Sequence, residues 1–299
     1  MTGPMDASFT IIYDELKGGK TTDLLAAFPR ATWVAAPGAL APAESVWGFK
    51  PPARYDLETF RQVSELADRL KPSDIALVID DATLLADRTA DYLMTRKGLS
   101  GYDLWGTILI QAVRMRDKLR RKGIHIAFSC HPRHAHMEAG VRVKGGPSFQ
   151  GQCFLKLPSA ADFLLRGEAR GESKEANGGV GWPRVYRTGY SPDWMQGSRY
   201  ATPDMSPMNL GEILRLASYA IPRLPGLEWQ ELVAEKLAGI LQGHLDDPEY
   251  VQNRLETAKK AILTRNIEEA HAYWALRDGY DRAVLRQLKG TQRKTMYGV

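Results

Sequence analysis

One segment near the N-terminus constrains the fold of this chain more than any other. A short apolar run from Phe9 to Tyr13 leads into Lys17-Gly18-Gly19-Lys20-Thr21-Thr22. A helical pattern begins at Asp23 and stops at Pro29. This succession predicts a strand, a glycine loop and a helix. Such a unit is typical of a phosphate-binding loop in an α/β protein.

A phosphate-binding P-loop has the pattern Gly, four residues, then Gly-Lys-Ser or Gly-Lys-Thr. Backbone N–H groups hold the phosphates, the lysine neutralises them, and the hydroxyl holds Mg²⁺. The triplet Gly19-Lys20-Thr21 fits, but the first glycine position is Asp14, whose charge would face the phosphates unless Lys17 or Mg²⁺ compensates it. A chance Gly-Gly-Lys-Thr-Thr turn is the alternative. The predicted nucleotide-binding residues are Lys17, Gly18, Gly19, Lys20, Thr21 and Thr22.

A second motif follows the apolar run Ile75 to Ile79, which predicts a buried strand ending in Asp80-Asp81. A carboxylate at the carboxyl end of a parallel strand lies beside the phosphate loop and orients Mg²⁺. Asp80 and the Thr21 hydroxyl are therefore the predicted metal ligands. Asp81 offers a second carboxylate, which would polarise the attacking water. A helix N-cap is the alternative interpretation, since aspartate is favoured there.

The next apolar strand, Ile124 to Ser129, is followed by Cys130-His131 at the edge where open α/β sheets bind ligands. A polar residue there can sense the terminal phosphate. With His134 and His136 the group also suggests zinc, but the spacing matches no common zinc site. An ordinary polar loop is the further alternative.

Strand and helix patterns alternate over the first two thirds of the chain. This alternation predicts a mostly parallel sheet covered by helices on both faces. Strands are expected at Thr32–Ala36, Phe154–Leu157 and Phe163–Leu165, and helices at Leu57–Leu70 and Trp105–Lys122.

The pattern changes after Gly167, where five glycines up to Gly181 predict a loop or hairpin tip. We predict two parts, a RecA-like nucleotide-binding domain over residues 1–205 and a helical region over residues 206–299. The C-terminal helices are expected at Leu210–Ala220, Trp229–Leu241, Pro248–Thr264 and Ile267–Leu288.

Composition narrows the protein class further. The chain has 299 residues, of which 44% are hydrophobic and 25% are charged, and no apolar run reaches the ~18 residues that span a bilayer. With two cysteines and no evident secretory signal, we expect a cytoplasmic protein, in the host cell if a phage encodes it. The net charge of +5 is compatible with contact to nucleic acid.

Several motifs together carry a family resemblance over about residues 8 to 166. They are Ile11-Ile12-Tyr13, Gly19-Lys20-Thr21-Thr22, Phe28-Pro29, Leu77-Val78-Ile79-Asp80-Asp81-Ala82-Thr83, Tyr102-Asp103-Leu104-Trp105-Gly106 and Phe128-Ser129-Cys130-His131. In this order they resemble phage-encoded RecA-like P-loop ATPases, a group allied to recombination and single-strand annealing. The resemblance implies an ATP site at Gly19, Lys20, Thr21 and Thr22, with Asp80 on the magnesium side and His131 near the sensor position.

The chain departs from the family pattern at one further point. The strand after the P-loop helix usually ends in an acidic residue, but here it ends in Ala35-Ala36. If that acidic residue activates the water, hydrolysis must rely on Asp81 or Glu15, or be lost. The candidate catalytic residues are Asp81, Glu15 and His131.

Two features bear on nucleic acid and remain open. Arginine and lysine are frequent between Arg114 and Lys122. The stretch is either a surface that follows a nucleic-acid backbone or a solvated helix face. Trp182, Tyr186, Tyr190 and Trp194 alternate with arginines, which suits either base stacking or a hairpin packed on the core.

The leading hypothesis is an Mg²⁺-dependent ATP hydrolase of phage DNA metabolism, in recombination, replication or packaging. Its expected partners are DNA, with single-stranded DNA as one candidate, and further copies of itself or a phage protein complex, with no membrane. The competing hypothesis is a degenerate P-loop protein that binds nucleotide, has a structural or assembly role and hydrolyses little.

Overall fold

The structure is a computed structural model, and it describes residues 7–15, 19–28, 30–41, 53–169, 184–200, 202–217, 219, 228–263 and 275–287. None of the helices in these ranges is long and apolar enough to cross a membrane. The bounds of the strands are β1 Phe9–Tyr13, β2 Thr32–Val34, β3 Ala53–Tyr55, β4 Ala76–Ile79, β5 His125–Cys130, β6 Pro132–Arg133, β7 His136–Glu138, β8 Val141–Val143, β9 Gly146–Pro147, β10 Phe163–Ala169, β11 Arg184–Arg187, β12 Gly197–Ser198 and β13 Met205–Pro207.

The helices alternate with the strands in the first part of the chain. A short 3-10 helix, Pro72–Asp74, precedes β4. The α-helices are α1 Lys20–Ala27, α2 Phe60–Arg69, α3 Ala82–Lys97, α4 Gly101–Arg121, α5 Gly151–Ala160, α6 Leu210–Leu216, α7 Glu228–Leu241, α8 Pro248–Leu263 and α9 over residues 275–287.

A nine-stranded sheet forms the centre of the molecule, in the order β13-β11-β10-β1-β5-β4-β2-β3, with β12 also paired to β10. The six strands from β10 to β3 are parallel to their neighbours, and β11, β12 and β13 are antiparallel. The α/β class and the mostly parallel sheet predicted for a RecA-like core are thus confirmed. Every residue of β1, β4 and β5 is buried, as expected of strands covered on both faces.

Two apolar clusters cover the faces of the sheet. The first joins one face to α2, α3, α4 and α5, and the second joins the other face to α1 and α6. Alternate residues of β1 divide between them, with Ile11 and Tyr13 in the first and Ile12 in the second. Helix α1, which follows β1 in the chain, packs on the second face.

One predicted strand is wrong. Phe154–Leu157 lies inside helix α5, where Cys153, Phe154 and Leu157 are buried and Leu155 is exposed. This spacing of three and four residues is helical, and a four-residue apolar run was too short to distinguish it from a strand. The predicted strand Phe163–Leu165 is confirmed and extends to Ala169.

The C-terminal helices form at the predicted places within the described ranges. Helices α7, α8 and α9 share a third apolar cluster that includes Leu237, Val251 and Ala283. By contrast, β13 extends the main sheet and α6 packs in the second cluster, on α1. The domain boundary at residues 205 and 206 stays a prediction. Most of the glycine-rich segment, residues 170–183, lies outside the described residues.

Candidate functional site

Helix α1 begins at the carboxyl end of β1, between β10 and β5. Its N-cap is Gly19, with φ of 82° in the left-handed region that favours glycine. A Cβ there would meet nothing within 4 Å, so the backbone conformation itself calls for glycine. Lys20, Thr21 and Thr22 form the first turn, where free backbone N–H groups and the helix dipole favour an anion. Lys17 and Gly18 lie outside the described residues.

The Lys20 ammonium is held over the loop that precedes it. Its Nζ donates to the carbonyl oxygens of Asp14 at 2.6 Å and Glu15 at 2.9 Å. Burial lowers the pKa of Lys20, and the negative charge of Asp14 opposes this shift. A cation that is partly stripped of water and donates to carbonyl oxygens is suited to accept an anionic ligand.

Two side chains from separate elements, Thr21 and Ser129, meet at Asp80. The Thr21 hydroxyl donates to the two carboxylate oxygens of Asp80 at 3.0 and 3.2 Å, and the Ser129 hydroxyl donates to Oδ1 at 2.6 Å. Burial raises the pKa of Asp80, and the hydrogen bonds from Ser129 and Thr21 oppose this rise. Thr21 comes from α1, Asp80 follows β4 and Ser129 lies in β5, so the sheet edge brings these oxygens together.

Asp81 is the N-cap of α3. One carboxylate oxygen accepts the Leu84 N–H at 3.0 Å, and the other lies 3.0 Å from Nε2 of His131. The backbone of Asp81 is left-handed, with φ of 65°, which is unusual for a residue other than glycine. Its N–H donates to the Ser129 hydroxyl at 2.8 Å. The capping interpretation thus describes Asp81 in this structure, and its role as a base stays a prediction.

The candidate residue Glu15 is at the exposed flank of the loop. Its side chain is 61% exposed, and its carboxylate lies 3.2 Å from Nε2 of His134. His134 also packs edge-on against Trp194, with ring centroids 5.6 Å apart. The segment after β5 therefore touches the phosphate loop through His134, while His131 reaches α3.

Asp14 occupies the position of the first P-loop glycine and is 2% exposed. One carboxylate oxygen accepts the N–H of Glu15 at 2.7 Å. The rest of the carboxyl group lies against Gly167 of β10, with its carbon 2.6 Å from where a Cβ on that glycine would stand. The side chain is therefore packed between β1 and β10 on the α1 side of the sheet.

Sequence reasoning missed two contacts at this site. Ser129 bridges Asp80 and Asp81, whereas the sequence marked it only as the polar end of a strand. Asp23, on the buried side of α1, accepts a hydrogen bond from the Tyr186 hydroxyl at 2.6 Å. An acidic residue in the first turn of a helix suggests a dipole interaction, so nothing in the local pattern indicated a distant partner.

Aromatic rings and cations lie together next to the loop. Arg166 lies over the Trp194 ring at 4.8 Å, and Lys144 over the Tyr190 ring at 4.9 Å. Tyr190 is 88% exposed. The predicted aromatic residues therefore lie in different surroundings. Tyr186 is a buried core residue, Trp194 packs on His134, which contacts Glu15, and Tyr190 is exposed beside Lys144.

The basic stretch of α4 is largely bound to the protein. Lys122 Nζ donates to the carbonyl oxygens of Ala67, Asp68 and Leu70 at the end of α2, and Lys118 Nζ donates to Ser64. These contacts satisfy helix-end carbonyls that would otherwise lack partners. They favour the structural interpretation of this stretch over a phosphate-tracking surface.

The residues at the loop fit a nucleoside triphosphate with Mg²⁺. A hydroxyl and a carboxylate are hard oxygen donors, and Mg²⁺ is usually held by one or two carboxylates together with substrate phosphates and water. The described ranges hold no cluster of three or more His, Cys, Asp or Glu side chains suited to a metal. Cys130 and Cys153 are buried free thiols in this part of the chain.

No protein-family model and no curated protein matches the sequence. Among solved structures, the chain is similar to the crystal structure of the RadB recombinase, at 14% identity and a TM-score of 0.42, with 69% of this chain and 88% of that chain covered. It is also similar to a KaiC-like protein from the hyperthermophilic archaeon Pyrococcus horikoshii OT3, at 12% identity and a TM-score of 0.40, with 69% and 86% covered. Similarity at this level carries nothing about ligand or activity.

Proposed function

We propose that this protein binds ATP with Mg²⁺ on the loop between β1 and α1. The observation that carries the proposal is the meeting of Lys20, Thr21 and Asp80 at the carboxyl edge of the central strands. Lys20 and the N–H groups of the first turn of α1 would hold the phosphates, together with Lys17 and Gly18 of the loop. Thr22 would add a second hydroxyl beside them.

Thr21 and Asp80 would hold Mg²⁺, which neutralises phosphate charge when bound. Their hydroxyl and carboxylate already share a hydrogen bond, so an ion between them and the phosphates would replace that bond. Ser129 keeps Asp80 oriented, since it donates to the oxygen Oδ1. His131 would contact the terminal phosphate, and its contact with Asp81 would connect that phosphate to α3.

We further propose ATP hydrolysis linked to DNA metabolism, with a phage as the source and self-assembly or a phage protein complex as the setting. The motif resemblance and the exposed Tyr190 beside Lys144 support DNA contact. Bases stack on exposed aromatic rings and phosphates attract the neighbouring cations, a combination suited to single strands.

A second candidate function is nucleotide binding with little hydrolysis. It is favoured by the absence of a carboxylate at the end of β2, and by the engagement of both carboxylate oxygens of Asp81. Glu15, the other candidate base, contacts His134 instead. A catalytic base must reach the attacking water, so one of these contacts would have to open during turnover.

One experiment separates these possibilities. MgATP binding is measured by calorimetry for wild type and Lys20→Ala, and hydrolysis is measured with and without single- or double-stranded DNA. Loss of the Lys20 contact should weaken binding at least about tenfold, because a charge-assisted hydrogen bond contributes about 1.5–3 kcal/mol. Lys156→Ala is the control, because Lys156 is an exposed residue of α5, and it should bind as wild type does. Equal affinity for wild type and Lys20→Ala would refute the site, and binding without turnover would select the second function.

A further inference from the structure

The carboxylate of Asp23 connects the phosphate-loop helix to the C-terminal helices. Asp23 lies three residues after Lys20 in α1 and is 1% exposed. Its backbone N–H donates to the Gly19 carbonyl at 3.0 Å, which closes the first turn of the helix. Whatever holds this side chain therefore fixes the rotation of the turn that carries Lys20 and Thr21.

Three distant segments of the chain meet on this one carboxylate. The Tyr186 hydroxyl of β11 donates to Oδ2 at 2.6 Å, and the Leu210 N–H at the start of α6 donates to the same oxygen at 3.1 Å. Arg277 of α9 approaches the other oxygen, with Nη2 3.3 Å from Oδ1. Both oxygens of the buried carboxylate therefore have partners. Among the described contacts of Asp23, the only cation is Arg277 of α9.

Arg277 is itself held at the junction by two further contacts. It donates to the Met208 carbonyl just before α6, and its Nε lies 3.7 Å from Asp281 of its own helix. A second tie lies close by, where Asn209 Nδ2 donates to Asp278 at 3.1 Å. Helix α9 is therefore docked on the start of α6 and on α1, in addition to its apolar contacts with α7 and α8.

The charges give this docking a consequence for phosphate binding. A buried carboxylate one turn from the loop would repel an anionic ligand if its charge stood alone. Without Arg277 the carboxylate would be a buried charge with no cation among its described contacts, which is costly. It would then turn away from its buried position, and this movement would release the first turn of α1.

We propose that Asp23 is a positioning residue for the phosphate loop and that α9 holds it through Arg277, so that nucleotide binding and the docking of α9 stabilise each other. This inference rests on the proposed nucleotide-binding function. By linkage, the factor by which docked α9 strengthens nucleotide binding equals the factor by which nucleotide strengthens docking. Allosteric couplings are typically about 5-fold to 150-fold.

The test uses the full chain and begins with MgATP binding to wild type. Arg277→Met removes the cation and keeps the length of the side chain. Arg286→Met is the matched control, since Arg286 lies on the same helix and pairs with the exposed Glu235 of α7. Tyr186→Phe removes one hydrogen bond to Asp23 and keeps the buried ring, so it serves if Arg277→Met does not fold. Amide hydrogen exchange over residues 275–287 is measured with and without MgATP.

We expect Arg277→Met to weaken MgATP binding about fivefold or more, Tyr186→Phe to weaken it by a smaller factor, and Arg286→Met to change it less than twofold. In wild type, MgATP should slow exchange over residues 275–287, and this slowing should vanish in Arg277→Met. A purely structural role would not produce nucleotide-dependent exchange. Wild-type affinity in both Arg277→Met and Tyr186→Phe, or exchange in wild type that MgATP leaves unchanged, would overturn the inference. Wild type that binds no MgATP would refute the proposed function itself, and the inference with it.

Discussion

Asp14 and Gly167 depend on each other across the gap between β1 and β10. The carboxyl carbon of Asp14 lies 2.6 Å from the place where a Cβ on Gly167 would stand, so only glycine at 167 leaves room for it. The same carboxylate accepts the N–H of Glu15 and so shapes the start of the phosphate loop. Gly167 in β10 thus makes room for Asp14, which stands at the first glycine position of the P-loop pattern.

Gly167→Ala should displace Asp14 and destabilise the protein by about 1–3 kcal/mol, the usual range for overpacking a filled interior. Denaturant unfolding measures the change. Gly197→Ala in β12 is the control, because a Cβ there meets nothing within 4 Å. Equal unfolding free energies for the two variants would contradict the packing described for Asp14.

Asp14→Asn should tighten MgATP binding severalfold. The amide oxygen can still accept the Glu15 N–H, while the negative charge near the phosphates is removed, and two like charges in a partly screened site interact by ~1 to a few kcal/mol. Calorimetry of wild type and variant gives the comparison, with Asp68→Asn on α2 as the charge-matched control. Weaker binding by Asp14→Asn would mean that the charge helps to hold the ligand.

Asp80→Asn should make the protein more stable without metal and poorer at Mg²⁺-dependent binding. Burial raises the pKa of Asp80, so its ionised form costs stability at neutral pH that an amide does not. Single stabilising substitutions commonly add about 0.5–2 kcal/mol, and we expect a gain in this range. Unfolding in EDTA tests the first part, and ATP titration with and without Mg²⁺ tests the second. A variant equally impaired with EDTA present would show that Asp80 acts only as a structural residue.

His125 should make stability fall as the medium is acidified. Its Nδ1 accepts the Ser8 N–H at 3.0 Å, so the buried ring is neutral, and burial lowers its pKa from 6.5 to about 4. The unfolded chain takes up a proton at this histidine near pH 6.5, whereas the folded protein does so only near pH 4. The free energy of unfolding is therefore highest above pH 6.5 and falls as the pH drops towards 4, by at most on the order of 3 kcal/mol. Unfolding of wild type and His125→Asn between pH 4.5 and 7.5 should therefore converge at low pH. Parallel curves would exclude this histidine as the source.

Tyr190→Ala should weaken binding of single-stranded DNA by about 5-fold to 150-fold, because base stacking on an aromatic ring contributes about 1–3 kcal/mol per base. Fluorescence anisotropy of a labelled oligonucleotide measures it at fixed salt concentration. Tyr102→Ala is the control, since Tyr102 on α4 is similarly exposed, at 74% against 88% for Tyr190. Equal losses in the two variants would remove this surface from the DNA proposal.

The parts of the fold that local pattern decides were predictable from the sequence. Phe9–Tyr13 and the helix after Gly19 follow from an apolar run, a glycine and a helical period, and both lie where predicted. Phe154–Leu157 was assigned wrongly because four residues do not separate a strand from a buried helix face. The contact between Asp14 and Gly167 could not be predicted either, since it depends on which strands are neighbours in the sheet.

The candidate site was also predictable from the sequence only in part. Thr21 and Asp80 meet because the carboxyl ends of parallel strands share an edge, which sequence order alone suggests. Their assignment to a nucleotide stays a prediction. Arg277 carried no local signal, because its partner Asp23 lies 254 positions away in the chain. A pairing of that span emerges only once the whole fold is assembled.

The position of β1 has a consequence for how the chain is made. Phe9 pairs with Ile126 and Thr10 pairs with Phe163, so both neighbours of β1 are translated more than about a hundred residues after it. Until then β1, whose five residues all end buried, lacks a sheet to join, and such late, long-range pairing slows folding and leaves nascent chains prone to aggregation. Helix α1 is likewise translated long before Arg277, so the contact between Arg277 and Asp23 forms only after the C-terminal helix has been made.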